Sequence, residues 1–596
     1  MSTHKSVETI RLQGIPVSQG IIIGKTRLVD RSRIQINYLY LNGSKESRAE
    51  VRRFKDALKS TKKQILTIKN GMSEQIKEHS FILDTHLMII DDKMISETTV
   101  KTIRNELINA EWALKKSVDE IRQAFEKIDY EYIRDRMNDV EAVAERILLN
   151  LVGKEHESLA NIDERVIVVA HDLSPTDTSE LNTDKVMGFI TNAGGRTSHT
   201  AIMAKAFKLP AVVGLESATS QVQDGTLLIV DGYNGNVIIN PDDDEIIRYQ
   251  EKQLYHEKYE SSILKDSHLP SETTDNHRVT IKANIEFLEE IDAAKELVTE
   301  GIGLYRTEFL YLRQKRIPSE DELFDDYREV VEQISPSPVT IRTLDIGRDK
   351  FPSEMLEPGE TNPALGLKSI RFCLENPEIF RSQLRAILRA SAFGRVRLMF
   401  PMISGLQELI DSKKVLHEVM EELDSRNIAY DKNIAVGIMI EIPSAAAIAD
   451  ILAKHVDFFS IGTNDLIQYS LAIDRTNEHV AHIYRPYHPG IIRMINFVAK
   501  SANEAGINVS LCGEMAGDPM CVPILLGTGI DELSINTEGI PLIKSVIRSL
   551  SRKEAMEDLE ELLTLPTSKD IRRFLEKRIE GVMPKIIENG LQENIS

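Results

Sequence analysis

Four sets of side chains in this sequence have types and settings suited to chemistry. The first is His199, within Asn192-Ala193-Gly194-Gly195-Arg196-Thr197-Ser198-His199-Thr200-Ala201-Ile202-Met203-Ala204. A strand-like run at residues 187–191 leads into a glycine pair and then a helix-periodic stretch, so His199 falls at a helix start. Free N–H groups and the positive end of a helix dipole favour phosphate there. An imidazole so placed can attack phosphorus and hold the group as phosphohistidine. A lone histidine is more often incidental, and the Gly-Gly-Arg-Thr context is what singles this one out. The second set is Glu441 and Asp465, carboxylates at the ends of neighbouring apolar runs, whose hard oxygens suit Mg²⁺. The third is Arg306, Arg342 and Arg475, guanidinium groups able to fork onto phosphate and carboxylate. Ordinary pairing, such as Arg306 with Glu308, is the alternative for these. The fourth is Cys512, in Cys512-Gly513-Glu514. A buried cysteine commonly acts as a small hydrophobe, but a glycine beside it at a strand end favours a reactive thiol.

These residues need elements to hold them. Eight apolar strand-like runs, at residues 279–286, 301–308, 339–346, 396–403, 435–442, 458–465, 509–515 and 531–538, alternate with helix-periodic segments. Eight such units predict a (β/α)8 TIM barrel, with a doubly wound sheet as the competing arrangement. Barrel active sites lie at the C-terminal ends of strands. Arg306, Arg342, Glu441, Asn464, Asp465 and Cys512 all stand at such ends, which packing alone does not explain. Upstream, no proline falls between Pro16 and Pro175, and residues 34–153 carry apolar residues at helical spacing. Short β-branched runs flank this array, at Ile21-Ile22-Ile23 before it and at 166–169, 212–213, 227–230 and 237–239 after it. The pattern predicts a helical subdomain inserted into an α/β domain. Residues 243–269 read as a charged helical linker closed by Pro270.

Bulk properties narrow the classes. A chain of 596 residues exceeds one core, so several domains are expected. The net charge of -20 disfavours nucleic acid and anionic membranes as partners and favours a basic protein. An anionic substrate then calls for a locally basic pocket. No apolar run approaches a membrane span, the first residues lack a signal-peptide core, and the three cysteines, Cys373, Cys512 and Cys521, make no disulfide framework. A cytoplasmic protein without membrane insertion is expected.

Gly194-Gly195-Arg196-Thr197-Ser198-His199-Thr200 resembles the phosphohistidine signature of Enzyme I of the phosphoenolpyruvate-dependent sugar phosphotransferase system. The run from Asp457 to Leu466 resembles the second signature of the phosphoenolpyruvate-utilising enzymes. Matches also occur at residues 301–309, 342–347 and 512–518, so the resemblance runs from about Gly14 to the end of the barrel. It implies a swivelling α/β phosphohistidine domain (1–33 and 154–242), an inserted helical subdomain that docks the carrier protein HPr (34–153), a helical linker (243–270) and a TIM barrel (271–596). The barrel would bind phosphoenolpyruvate and Mg²⁺ and form a homodimer. His199 would be phosphorylated on Nε2, with Thr178 orienting the ring. Arg306, Arg342, Asn464, Asp465 and Arg475 would hold phosphoenolpyruvate, and Glu441 and Asp465 would hold Mg²⁺. Cys512 would protonate the enolate to release pyruvate. Two positions depart from the family pattern: Arg348 replaces a glycine, and Lys368 replaces an arginine. A pyruvate phosphate dikinase or phosphoenolpyruvate synthase is the nearest rival, but the residues before His199 hold no Gly-rich phosphate loop and carry the helical insertion instead.

Overall fold

The computed structural model describes residues 9–29, 37–71, 80–125, 131–153, 162–173, 177, 181–195, 198–312, 316–347, 365–474, 480 and 483–580. The chain divides into two compact units, the first running to Glu257 and the second starting at Lys258.

The first unit is built on an eight-stranded sheet. Its strands are β1 (Ile10–Gln13), β2 (Ile15–Ser18), β3 (Ile21–Val29), β4 (Val166–Ala170), β5 (Val186–Thr191), β6 (Ala211–Val213), β7 (Leu227–Asp231) and β8 (Asn236–Ile239). They lie in the order β1-β8-β7-β3-β4-β5-β6-β2. β3 through β6 are mutually parallel, and the flanking pairs are antiparallel. The continuous apolar run of β4 has a direct cause: alternate residues feed two cores. Val168 and Ala170 enter one cluster, while Ile167 and Val169 enter another, as expected of a strand covered on both faces.

Among the described residues five helices, Ser44–Gly71, Ser80–Asp91, Lys93–Glu106, Ala110–Phe125 and Glu131–Val152, lie between β3 and β4. Because β3 and β4 are hydrogen-bonded neighbours, the helices form an insertion with a core of their own, including Phe54, Ile65, Leu114 and Ile147. Met203, on the helix His199–Ala206, belongs to that same core. Sequence periodicity missed β1 and β2. Both are edge strands, and β2 begins Ile15-Pro16, where the missing N–H suits an edge.

In the second unit β9 (Thr280–Ile285), β10 (Ile302–Tyr305), β11 (Val339–Arg342), β12 (Val396–Phe400), β13 (Ala435–Ile440), β14 (Phe458–Ile461), β15 (Asn508–Leu511) and β16 (Glu532–Asn536) form a closed parallel barrel. Pairing of β16 with β9, from Glu532↔Thr280 to Asn536↔Asn284, closes it and excludes the doubly wound alternative. Buried Glu532 helps fasten that seam, accepting from Lys282 Nζ at 2.7 Å and Arg397 Nη2 at 2.6 Å. Most of the strands stop short of the apolar runs that announced them. The run at 339–346, for example, is a strand only to Arg342, although Leu344 and Ile346 remain buried. The remainder of such runs forms the loops at the barrel mouth. Among the described residues no helix is long and apolar enough to cross a membrane.

Candidate active site

The C-terminal mouth of the barrel holds a cavity of about 280 Å³, lined in part by Arg306, Arg342, Glu441, Asn464, Asp465 and Cys512. Six strand-end residues named from sequence thus converge on one space. Arg306 follows β10, and Arg342 ends β11. Glu441 follows β13, Asn464 and Asp465 open the helix Thr463–Leu471 after β14, and Cys512 follows β15.

The pocket is not simply basic. Five carboxylates line it (Glu286, Glu308, Asp345, Glu441 and Asp465) against two described guanidinium groups. Each arginine arrives already paired. Arg306 bonds Glu286 rather than Glu308. Arg342 reaches Glu308 at 3.0 Å and Asp345 at 2.9 Å. Burial opposes the charge on Arg342, but Glu308, Asp345 and Glu441 hold it firmly protonated. Among the described residues its Nε is buried without a hydrogen-bond partner, leaving one donor for an incoming group. Among the described residues the lining is mixed in charge, because the same short loops that carry the arginines also carry carboxylates, two residues after Arg306 and three after Arg342.

Asp345, Glu441 and Asp465 bring carboxylate oxygens within 4.8 Å of one another. Glu441 is 2% exposed, and its Oε1 accepts from Met402 N at 2.6 Å. Burial first, then Asp345 and Asp465, push the Glu441 carboxyl well above the usual range. Three crowded carboxylates in a buried mouth are costly unless a cation shares them. All-oxygen donors of this kind fit a hard divalent ion such as Mg²⁺. Sequence reasoning named Glu441 and Asp465 but missed Asp345. The available signal was a carboxylate three residues beyond a strand-end arginine.

Lys368 also reaches this cluster, with Nζ 3.9 Å from Asp465 Oδ2 and 3.4 Å from Tyr469 OH. Burial lowers its affinity for a proton, but Asp345 and Asp465 more than offset this and keep it cationic. Asn464 exchanges two hydrogen bonds with Glu514, at 3.1 and 2.8 Å, which ties the β14 and β15 loops together.

Cys512 is 3% exposed. Burial raises its thiol pKa, so the sulfur keeps its proton at neutral pH. Ser460 Oγ donates to Sγ at 3.2 Å and so stabilises a thiolate once the proton has left. Gly513 is required by space, because a Cβ there would meet Thr463 Oγ1 at 1.9 Å and Thr463 N at 2.6 Å.

In the first unit, His199 is the first residue of the helix His199–Ala206. Ser198 caps the helix, its Oγ accepting from Ala201 N at 3.2 Å. Gly194 adopts φ +107°, a region disfavoured for side-chain-bearing residues, and so allows the turn from β5 into the helix. Thr200 Oγ1 bonds Asp172 at 3.2 Å and the Leu173 carbonyl at 3.1 Å. Buried Ala201, Met203 and Ala204 anchor the inner face. Thr178, Arg348 and Arg475 lie outside the described residues.

Family models of the PEP-utilising enzymes match three successive segments of the chain. These are the N-terminal domain at residues 13–136, the mobile domain at 162–235 and the PEP-binding domain at 260–552. The phosphoenolpyruvate-protein phosphotransferase of Staphylococcus carnosus (strain TM300) is 41% identical over 571 residues, covering 95% of this chain and 99% of that protein. That of Bacillus subtilis (strain 168) is 41% identical over 567 residues, covering 95% and 99%. A solution structure of Enzyme I shares 38% identity with a TM-score of 0.36, over 41% of this chain and 99% of that one. The family models and the two relatives show that the chain belongs to the phosphoenolpyruvate-protein phosphotransferase family of PEP-utilising enzymes.

Proposed function

We propose that the chain is a phosphotransferase that takes the phosphoryl group of phosphoenolpyruvate onto His199 and passes it to a histidine of HPr, releasing pyruvate. The observation that carries this is the barrel cavity, where paired arginines, a carboxylate triple and a protonated thiol meet in one space. Arg306, Arg342 and Asn464 would hold the substrate, with Arg475 as a further guanidinium. Phosphate is a strong fork acceptor, so the arginines exchange carboxylate partners for substrate oxygens. Glu441 and Asp465, joined by Asp345, would hold Mg²⁺, which when bound supplies charge stabilisation as the phosphoryl group departs.

The bonds balance simply. The ester P–O bond breaks, His199 Nε2 bonds phosphorus, and the freed enolate takes a proton at carbon from Cys512 Sγ. Thr178 would orient the imidazole through its other nitrogen. The helical insertion would then dock HPr, whose histidine accepts the group. We assign these steps to domains 1–33 with 154–242, 34–153, 243–270 and 271–596. The first swivels, and the last forms a homodimer in the cytoplasm.

The direct test is incubation with labelled phosphoenolpyruvate, Mg²⁺ and HPr, with and without ATP. Label should reach HPr and pyruvate should appear without nucleotide; strict dependence on ATP would favour a dikinase instead. Cys512→Ala should bind phosphoenolpyruvate nearly as well as the parent while slowing pyruvate release by orders of magnitude, because only the proton donor is removed. Normal turnover would mean that the proton comes from elsewhere. Lys368→Arg should tighten phosphoenolpyruvate binding by up to about 1 kcal/mol, the scale of one improved charge-assisted bond. Unchanged affinity in a binding titration would put Lys368 outside the substrate's contact shell.

A further inference from the structure

Gln383 lies on the helix Pro377–Ala390, outside the cavity lining, and is 1% exposed. A buried amide without partners would be costly, so its bonds say what it is for. Its Oε1 accepts from Leu344 N at 2.9 Å, which fixes the orientation of the amide. Its Nε2 then donates to Thr307 Oγ1 at 3.1 Å and to Tyr327 OH at 3.2 Å. Because Thr307 accepts from Gln383, its own proton is free to donate to the Arg342 carbonyl at 3.0 Å.

The chain of bonds closes on itself. Arg342 C=O and Leu344 N–H flank Thr343, and both are held through one amide. Thr307 stands between Arg306 and Glu308, and Leu344 immediately precedes Asp345. We infer that Gln383 is a positioning residue that clamps the β10 and β11 loops, fixing Asp345 as a metal ligand and Arg342 as a substrate ligand. Direction matters as much as contact. A carboxylate at 383 would draw the Thr307 proton to itself and release the Arg342 carbonyl.

This inference rests on the proposed function for its kinetic consequence but not for its metal consequence, so the two can fail separately. In the full-length chain, Mn²⁺ titrated by electron paramagnetic resonance is a suitable probe. Gln383→Met, similar in size but without an amide, should weaken Mn²⁺ about tenfold, the scale at which supports of metal ligands act. Thr307→Val should weaken it similarly, and the double variant should be no worse than the worse single one, because both cut the same network. Pyruvate formation should show a raised Mg²⁺ requirement in parallel, while phosphate exchange with phosphorylated HPr stays at the parent rate. Parent-like Mn²⁺ affinity in either folded variant, or additive losses in the double variant, would overturn the clamp. A parent chain that binds Mn²⁺ yet accepts nothing from phosphoenolpyruvate would overturn the proposed function and leave the clamp standing.

Discussion

Glu441→Gln in the full-length chain is expected to cut phosphoenzyme formation from phosphoenolpyruvate by on the order of a thousandfold, the scale of losing one preorganised charge in a transition state. The sign of this effect is what makes it informative. The described cavity lining carries five carboxylates against two guanidinium groups. If substrate bound there without a cation, Gln would remove whatever negative charge Glu441 carries and phosphoenolpyruvate would bind at least as well as to the parent. If Asp345, Glu441 and Asp465 share a cation, removing one ligand costs that cation and the substrate charge it neutralises. The amide keeps an oxygen for the Met402 N–H, so the loop loses no backbone bond. Measured by labelled phosphoenzyme at saturating Mg²⁺, the variant should be nearly inert, while its exchange with phosphorylated HPr persists. Tighter phosphoenolpyruvate binding with normal labelling would show that the carboxylates hold no metal.

The barrel site was legible in sequence because a TIM barrel puts chemistry at strand ends, and the apolar runs made those ends visible. The same runs misled at the boundaries. Hydrophobicity reports burial, and the mouth loops are as buried as the strands: Leu344, Met402 and Ile403 are each at most 2% exposed. Reading them as strand moved the ends outward by several residues and hid Asp345 inside a presumed strand. Pairing was less legible still. Arg306 has Glu308 two residues away but bonds Glu286, and Glu308 turns to Arg342, because parallel neighbouring strands bring their ends side by side at the barrel mouth. Gln383 gave no signal at all. An amide on a helix pattern reads as a surface residue, and only the fold shows that it is enclosed.

His199→Ala should form no acid-labile, base-stable phosphoenzyme, a complete rather than a partial loss, because a nucleophile has no substitute in its own covalent step. Fourteen histidines are present, so context must carry the choice. His86 is buried against Asp139, 3.3 Å away, and His256 is stacked on Tyr233 at 4.2 Å. His199 instead opens a capped helix after a glycine turn. The first N–H groups of such a helix have no acceptor within it and face whatever anion arrives. Ala201 and Ala204 are fully buried and hold that helix to the sheet, so an alanine at its first position should leave the fold intact. The barrel is untouched by the change, so the variant should still bind phosphoenolpyruvate and Mg²⁺ with parent affinity. The expected result is therefore a split: full substrate binding, no label and no pyruvate. Full labelling of His199→Ala, mapped to another histidine, would sink the assignment. Loss of binding together with loss of label would mean that the substitution had acted on the fold and not on the nucleophile.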